Sequence, residues 1–255
     1  MMVRERRGIV LKSSREVEIM RQANVHVAEI LNLMAKAALP GVSTWDLDQI
    51  ARAELRARKI TSAFLGYHGF PATVCASINE EIVHGIPSKS RVLKEGDILS
   101  LDFGAVYEGY VGDCAKTVPI GMVSPAAEKL MRVTRECLDR AIAVCRPTSR
   151  LSDIGQAVQM HAEDNGFSVV REFVGHGIGT AMHEEPQVPN YYDGPRPRLK
   201  PGLVIAIEPM VNAGTHEVEV LSDGWTAVTR DRKLSAHFEH SIAITDGEPI
   251  VLSRV

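Results

Sequence analysis

The sequence predicts an α+β fold in which two similar halves surround a shared, mostly antiparallel sheet. In each half of the 255-residue chain, two helical patterns are followed by extended segments. Two apolar runs on either side of Tyr107-Glu108-Gly109 predict a β-hairpin in the first half. With 45% hydrophobic and 24% charged residues, the composition is that of a globular protein. We expect a single domain over residues 1–255, with a short flexible N-terminal segment of about residues 1–12.

The first half begins with a helix from about Ser13, where Glu16 completes a capping-box pattern three residues later. Apolar residues then recur at helical spacing until Pro40-Gly41, which ends the helix. One more helix is predicted from about Thr44 to Arg58. The extended segments that follow it are predicted at about 72–79, 82–86, 97–106 and 110–120.

The order restarts after Gly121. Ser124 is a favourable N-cap and Pro125 a favourable first helical residue, and this helix is predicted to reach about Cys145. The next helix is predicted from Ser152 to Asn165, with Gly166 as its C-terminal stop. The remaining strands are predicted at about 167–173, 203–211, 217–221, 226–229 and 238–245.

The bulk composition argues against several classes of protein. A net charge of −3 gives no basic footprint for nucleic acid, and no segment has the roughly 18 apolar residues of a membrane span. The four cysteines lack CxxC spacing and the N-terminus lacks an apolar signal segment, so we expect reduced thiols in a cytoplasmic protein. Arg4, Arg6 and Arg7 are expected to be solvated rather than to form a binding patch.

Three carboxylates stand where a folding chain rarely places a charge. Glu208 ends the apolar run 203–207, Glu239 precedes the run 240–244, and Asp102 follows the run 98–101. Runs this apolar are typical of buried strands. An unpaired carboxylate there costs several kcal/mol or stays protonated. A shared counter-charge is therefore indicated, and a metal centre is the simplest one.

The predicted hairpin adds a fourth carboxylate, Asp113. If the turn centres on Tyr107-Glu108, Asp102 and Asp113 face each other directly; if it centres on Glu108-Gly109, they are diagonal neighbours. Both registers place them on the same face of the sheet, because side chains alternate with a period of two. Like charges this close are destabilising unless a cation lies between them.

Histidines accompany these carboxylates. His176 lies in Gly175-His176-Gly177-Ile178-Gly179, and His183 follows seven residues later in Met182-His183-Glu184-Glu185-Pro186. The chain has no HExxH motif, so a zincin-type site is not indicated. His84 on its own would more often be structural. The histidines for which we expect only structural roles are His26, His161, His216, His237 and His240.

The resulting ligand set is rich in oxygen: Asp102, Asp113, His176, Glu208 and Glu239. Such a set suits Mn²⁺, Fe²⁺ or Co²⁺ better than a thiolate zinc site does. Five protein ligands are too many for one catalytic metal with open positions. Two divalent ions that share bridging carboxylates fit better, and such a pair can hold a hydroxide and polarise a carbonyl.

The order of these five residues resembles that of the dinuclear-metal peptidases of the M24 family, which have the pita-bread fold. Finer motifs resemble those of type I methionine aminopeptidases over about residues 10 to 252. These motifs are Tyr67-His68-Gly69-Phe70-Pro71, Cys75-Ala76-Ser77-Ile78-Asn79-Glu80, Val83-His84-Gly85-Ile86-Pro87, the two histidine segments above and Asp223-Gly224-Trp225. The resemblance implies a metalloaminopeptidase that removes the N-terminal (initiator) methionine before a small second residue, by attack of a metal-activated hydroxide at a dinuclear site.

The resemblance also implies a role for each site residue. The five ligands would hold two divalent ions per chain (Co, Mn, Fe, Zn or Ni), with Asp113 and Glu239 bridging. Glu208 would also assist proton transfer, and His84 and His183 would stand near the scissile peptide. The residues expected to form the substrate pocket around these two histidines are Phe64, Tyr67, His68, Phe70, Cys75, Met182 and Trp225.

Some positions depart from the pattern of the family or add to it. Phe64 stands where a cysteine is often found, Met182 where phenylalanine is frequent, and Phe70 replaces a frequent tyrosine, so these three positions give the pocket its own shape. Asn79 and Ser235 match positions that hold a structural Na⁺ or K⁺ ion in some relatives.

The expected partners are the N-termini of nascent polypeptides, near the ribosome, with no specific nucleic acid and no membrane. We expect a monomer, because one chain carries the complete catalytic set. The chain shows neither the type II insertion nor an N-terminal extension, which is typical of a bacterial-style minimal enzyme. Two alternatives stay open at this point: an Xaa-Pro peptidase, and a binding module of the same fold that has lost catalysis.

Overall fold

The structure is a computed structural model that describes residues 8–255. Over this part of the chain the helices are α1 (Ser14–Ala37), α2 (Thr44–Arg58), α3 (Pro125–Ala143) and α4 (Leu151–Asp164), with one 3₁₀ turn at Tyr67–Gly69. The first-half strands are β1 (Thr61–Ser62), β2 (Cys75–Ile78), β3 (Glu81–Val83), β4 (Ile98–Tyr107) and β5 (Tyr110–Pro119). The second-half strands are β6 (Ser168–Val169), β7 (Gly175–Gly177), β8 (Glu184–Val188), β9 (Val204–Ile207), β10 (Met210–Asn212), β11 (Val218–Val220), β12 (Ala227–Thr229), β13 (Ser235–His237), β14 (His240–Ala243) and β15 (Ile250–Val251).

The helix starts follow from the capping residues in the sequence. The Ser13 side chain accepts the Glu16 N–H, and Glu16 in turn accepts the Ser13 N–H, so the predicted capping box is confirmed. Ser43 and Asp46 form a second box at the start of α2, and Ser124 caps α3 ahead of Pro125.

Every strand pair among the described residues is antiparallel, which confirms the α+β class and the mostly antiparallel pairing. The hydrogen-bonded orders are β1-β4-β2 with β5 on β4, β13-β10-β6, β11-β12-β3, and β15-β14-β9-β7-β8. The apolar core follows the two halves. One cluster packs α1 and α2 onto the hairpin, and another packs α3 and α4 onto the second-half strands.

The hairpin resolves the register that the sequence left open. Tyr107 pairs with Tyr110, so the turn centres on Glu108-Gly109. Both turn residues have positive φ, 47° and 81°, which a two-residue hairpin turn of this kind requires. Asp102 is therefore opposite Ala115 and Asp113 opposite Gly104, which makes the two aspartates diagonal neighbours on one face.

Three of the predicted second-half strands are wrong in extent. The segment 167–173 forms a strand only at Ser168–Val169, and the breaks in the other two fall at predicted ligands. The segment 203–211 divides at Glu208-Pro209, where proline has no N–H for the ladder. The segment 238–245 begins later, because the Glu239 N–H donates to the Ala115 carbonyl of β5 at 2.9 Å. This bond joins the second half to the hairpin. Strands β7 and β8 were not predicted at all, because Gly175-His176-Gly177 and Glu184-Glu185-Pro186-Gln187-Val188 both lack an alternating apolar pattern.

The predicted N-terminal segment lies partly outside the described residues, including Arg4, Arg6 and Arg7. At its described end Lys12 is only 6% exposed, and its backbone N–H donates to the Gly202 carbonyl at 2.6 Å. Among the helices of residues 8–255, none is long and apolar enough to cross a membrane.

Candidate active site

One cavity of about 290 Å³ collects the predicted site residues from both halves of the chain. The predicted metal ligands that line it are Asp102, Asp113, His176, Glu208 and Glu239. The predicted pocket residues that line it are Phe64, Tyr67, His68, Phe70, Cys75, His84, Met182, His183 and Trp225. Three further lining residues, Val83, Phe173 and Val174, were not predicted, because apolar side chains in a strand or loop carry no chemical signal.

The second-half carboxylates come together at one end of a strand pair. His240 of β14 is opposite Ile207 of β9, so Glu239, just before β14, and Glu208, just after β9, share that end. His176 lies in the neighbouring strand β7, opposite Ala206. The sheet ladder thereby holds three predicted ligands side by side.

The first-half and second-half ligands face each other across the cavity. The Nε2 atom of His176 is 3.5 Å from Glu208 Oε1 and 3.8 Å from Asp113 Oδ2. Ligand atoms of Asp113, His176 and Glu239 lie within 4.8 Å of one another. The Nδ1 atom of His176 is 2.9 Å from the Gly177 carbonyl oxygen. An N–H at Nδ1 donates to that carbonyl and leaves the Nε2 lone pair free for a cation.

The cluster brings four carboxyl groups together in a buried place, and this shifts the pKa values of its members. Burial raises the pKa of Asp102 to about 7. Burial, reinforced by the neighbouring carboxylates, raises the pKa of Asp113, of Glu208 and of Glu239 well above the ordinary range. Burial also lowers the pKa of His176 to about 3, so its imidazole is neutral at pH 7.

The donor set fits divalent cations. Buried oxygens of three carboxylates, Asp102 Oδ1, Asp113 Oδ1 and Glu239 Oε1, have no hydrogen-bond partner among the described residues. A buried acceptor without a partner costs about 1–3 kcal/mol, more when charged. A hard cation satisfies such oxygens, and a mixed carboxylate and imidazole set suits Mn²⁺, Fe²⁺ or Co²⁺.

Two histidines stand beside this carboxylate cluster. His183 lies with its ring centroid 4.3 Å from that of His176, and its Nδ1 is 2.6 Å from the Tyr67 hydroxyl oxygen. The Tyr67 O–H donates to Nδ1 when the imidazole proton is on Nε2. His84 has φ 61°, an uncommon conformation for a non-glycine residue, and burial lowers its pKa to about 4.

The apolar wall of the cavity is aromatic. The ring of Phe70 makes edge contacts with Phe64 at a centroid distance of 6.5 Å and with Trp225 at 5.1 Å. Trp225 and Phe173 both contact the His84 ring edge-on. Phe64, Phe70, Cys75 and Met182 belong to one buried apolar cluster. The non-standard Phe64 and Met182 therefore shape the same wall.

His237, for which only a structural role was expected, lies next to the carboxylate cluster. It is 1% exposed, and its Nε2 is 3.8 Å from Glu208 Oε2. Neither ring nitrogen has a hydrogen-bond partner within residues 8–255. His237 precedes Glu239 by two residues. In an extended chain that spacing places both side chains on the same face, so the spacing could have predicted that His237 lies near the cluster.

Asn79 and Ser235 lie outside the cavity but next to each other. The Ser235 N–H donates to the Asn79 carbonyl at 2.9 Å, and Asn79 has φ 56°. The Ser235 hydroxyl donates to Asn212 Oδ1 at 2.8 Å. The two residues are close together, and the monovalent-cation site stays a prediction.

Comparison with known proteins decides the family. The model of metallopeptidase family M24 matches residues 18–246. The chain belongs to metallopeptidase family M24. It is 49% identical to the methionine aminopeptidase of Clostridium acetobutylicum, over 96% of this chain and 98% of that protein. The crystal structure of methionine aminopeptidase from Thermotoga maritima superposes with a TM-score of 0.95 at 43% identity, covering 97% of this chain and 100% of that one.

These findings confirm the resemblance to methionine aminopeptidases and the fold it implied. The Xaa-Pro dipeptidase from Bacillus anthracis shares the fold, with a TM-score of 0.76. The two proteins are 20% identical. The aligned region covers 96% of this chain but only 62% of the Xaa-Pro dipeptidase. The likeness to the Xaa-Pro peptidases therefore extends to the fold alone.

Proposed function

We propose that this M24 peptidase is a methionine aminopeptidase, which removes the N-terminal methionine from proteins and peptides. The main support for this proposal is one cavity that contains both a buried cluster of carboxylates and an imidazole and an aromatic, apolar wall. The cluster suits peptide hydrolysis and the wall suits an unbranched apolar side chain. The near full-length relatives are methionine aminopeptidases.

The five clustered residues, Asp102, Asp113, His176, Glu208 and Glu239, are the proposed ligands of two divalent ions. Unpartnered buried oxygens on Asp102, Asp113 and Glu239 support carboxylate ligation of such ions, and the resemblance alone implies that Asp113 and Glu239 would be shared between them. When bound, the ions lower the pKa of a coordinated water and withdraw charge from the scissile carbonyl. Mn²⁺, Fe²⁺, Co²⁺, Zn²⁺ and Ni²⁺ are all candidates.

The remaining chemistry belongs to side chains of the chain. Glu208 is the proposed acceptor for the proton of the attacking water and would deliver it to the leaving amine. His183 donates its Nε2–H to the carbonyl oxygen as negative charge develops there. Tyr67 holds the other nitrogen of His183 and so fixes the tautomer and the ring.

His84 stands on the side of the cavity with Phe173 and Trp225. We propose that it contacts the amide beyond the scissile bond and helps to orient the leaving nitrogen. Its buried ring stays neutral at pH 7, because burial depresses its pKa, and a neutral imidazole can both donate and accept. The proposed preference for a small second residue rests on the resemblance to methionine aminopeptidases.

The wider proposal follows from this activity. The chain forms one catalytic domain and works as a monomer in the cytoplasm, on nascent polypeptide N-termini near the ribosome, without a specific nucleic acid. A Na⁺ or K⁺ ion beside Asn79 and Ser235 is proposed to be structural. Both residues already anchor the loop next to β13 through backbone hydrogen bonds, which supports that placement.

The test is an assay of two tripeptides. The purified protein is stripped with a chelator, reloaded with Mn²⁺ or Co²⁺, and offered Met-Ala-Ser and Ala-Pro-Ser. The account predicts metal-dependent release of methionine from the first and none of alanine from the second. Cleavage of Ala-Pro-Ser alone would move the chain to the Xaa-Pro peptidases, and cleavage of neither, with metal bound, would indicate a binding module.

A matched pair of variants on the hairpin serves as the control. Asp113→Asn removes a proposed ligand and should abolish methionine release. Glu108→Gln neutralises an exposed carboxylate in the turn of the same hairpin and should leave the release at the wild-type rate.

A further inference from the structure

Lys12 is a buried lysine outside the cavity. Its side chain is 3% exposed, and its ammonium group donates to Glu184 Oε2 at 2.6 Å and to the Val10 carbonyl at 3.1 Å. Lysine is almost never buried unless it is paired. Its partner Glu184 lies 172 residues away in sequence and directly follows His183.

Glu184 in turn organises the segment before it. Its Oε1 accepts the backbone N–H of Thr180 at 3.0 Å and of Ala181 at 3.3 Å. These bonds fold residues 179–184 into the connection between β7 and β8. The same connection carries Met182 and His183 into the cavity. Glu184 therefore helps to position both site residues, together with the hydrogen bond between Tyr67 and His183.

The Lys12–Glu184 ion pair is tightly packed against two glycines. A Cβ atom on Gly179 would lie 2.5 Å from Glu184 Oε1 and 2.7 Å from Lys12 Cε. A Cβ on Gly202 would lie 2.7 Å from the Lys12 carbonyl oxygen, and Gly202 has φ +86°. Because the Lys12 N–H also donates to the Gly202 carbonyl, Lys12 is fixed at both its backbone and its side chain.

We propose that Lys12 is a positioning residue, which holds Glu184 so that segment 179–184 presents His183 and Met182 to the substrate. This inference rests on the proposed function. A buried ion pair is weak evidence for a gain in global stability, since desolvation offsets much of its attraction. The contacts of this pair instead converge on the one segment that delivers a proposed catalytic imidazole.

The expected effect is a loss of turnover. Lys12→Met leaves Glu184 buried without its cation, so that carboxylate turns toward water and releases Thr180 and Ala181. A displacement of about 1 Å at a reacting group can cost about 10²-fold in rate. We therefore expect kcat for Met-Ala-Ser to fall about 10- to 100-fold, while Mn²⁺ affinity changes less than about threefold.

The experiment uses the full-length, Mn²⁺-loaded protein and three variants that disturb the pair in different ways: Lys12→Met, Glu184→Gln and Gly179→Ala. Lys36→Met and Glu185→Gln are the matched controls, because Lys36 is an exposed lysine on α1 and Glu185 an exposed neighbour of Glu184. Each protein is measured for kcat and KM, for Mn²⁺ affinity, and for amide hydrogen exchange at Thr180 and Ala181.

Support requires lower kcat and faster exchange at these two amides in the pair variants, with Mn²⁺ affinity and the controls unchanged. Wild-type kcat and exchange in Glu184→Gln and Gly179→Ala would overturn the proposal, even if Lys12→Met failed to fold. If the wild-type protein released no methionine, the proposed function would fail. The exchange data would still decide whether Lys12 holds the segment.

Discussion

Removing the metal from this peptidase should make its stability fall as the pH rises above neutrality. Burial raises the pKa of Asp102 to about 7 and the pKa of Asp113, Glu208 and Glu239 further above the ordinary range. In the unfolded chain these groups ionise near pH 4. Between the unfolded and folded pKa values the folded, metal-free protein therefore holds excess protons, so the free energy of unfolding decreases with pH.

The buried histidines have the opposite sign, and this fixes the pH window. Burial lowers the pKa of His176 and of His237 to about 3 and the pKa of His84 to about 4. Below about pH 6.5 these rings bind fewer protons in the folded than in the unfolded state, so they add stability as the pH rises. Between pH 6.5 and 8 each ring still adds about 0.4 kcal/mol, as the unfolded imidazole loses its remaining proton, against about 2 kcal/mol lost for each excess carboxylate proton, so the carboxylates set the sign of the slope.

The magnitude follows from the proton count. Each excess proton lowers the free energy of unfolding by about 1.4 kcal/mol per pH unit, or about 2 kcal/mol between pH 6.5 and 8. For a chain of this length that corresponds to a fall in Tm of about 4–8 °C per excess proton. Saturating Mn²⁺ should remove the fall, because the ion binds the ionised carboxylates and its own binding strengthens with pH.

The assay is thermal unfolding at four pH values between 6.5 and 8, with chelator and with Mn²⁺. Glu239→Gln should flatten the slope in chelator and lose most of the stabilisation by Mn²⁺, whereas Glu108→Gln should behave as wild type. A metal-free Tm that is flat or rises across this range, with the same slope in Mn²⁺, would refute the reasoning about the carboxylate cluster.

Three further predictions concern side chains beside the cluster. His84→Ala should lower kcat about 10²–10³-fold while the bound metal, measured by elemental analysis, stays at the wild-type level; parallel loss of both would contradict its role. Tyr67→Phe removes the hydrogen bond to His183 Nδ1, so kcat should fall about 10-fold with KM nearly constant; unchanged kinetics would argue against tautomer control. His237→Leu removes the imidazole next to Glu208 Oε2, and Mn²⁺ affinity by calorimetry should weaken about 10–100-fold, with partial rescue in His237→Gln; wild-type affinity in His237→Leu would show that the imidazole does not support Glu208.

The helices and the hairpin were predictable because local chemistry determines them. Ser13 with Glu16 and Ser124 with Pro125 satisfy helix N-termini through neighbouring residues. The alternation around Asp102 and Asp113 placed both carboxylates on one face whatever the register of the turn. Asp102, Glu208 and Glu239 were visible because a carboxylate beside an apolar run conflicts with burial unless something compensates it.

The parts that the sequence did not predict depend on contacts between distant segments. The N–H of Glu239 donates to the Ala115 carbonyl of β5 rather than to a neighbouring strand of its own sheet. Strand β14 therefore begins later than the apolar pattern suggests. Strand β7 is held by Ala206 and Gln187 rather than by any preference of Gly175-His176-Gly177. The burial of Lys12 needs Glu184 as its partner, and no local pattern near residue 12 reveals that partner.

The most direct test follows methionine release as a function of the metal bound per chain. Metal-free protein is titrated with Mn²⁺, the bound ion is counted by calorimetry, and kcat/KM for Met-Ala-Ser is measured at each point. The account predicts no release without metal, a rise that saturates by two ions per chain, and no recovery in Asp113→Asn at the same Mn²⁺ concentration. Full activity in the metal-free protein, or in Asp113→Asn, would contradict the claim that the buried carboxylate and imidazole cluster is a catalytic metal centre.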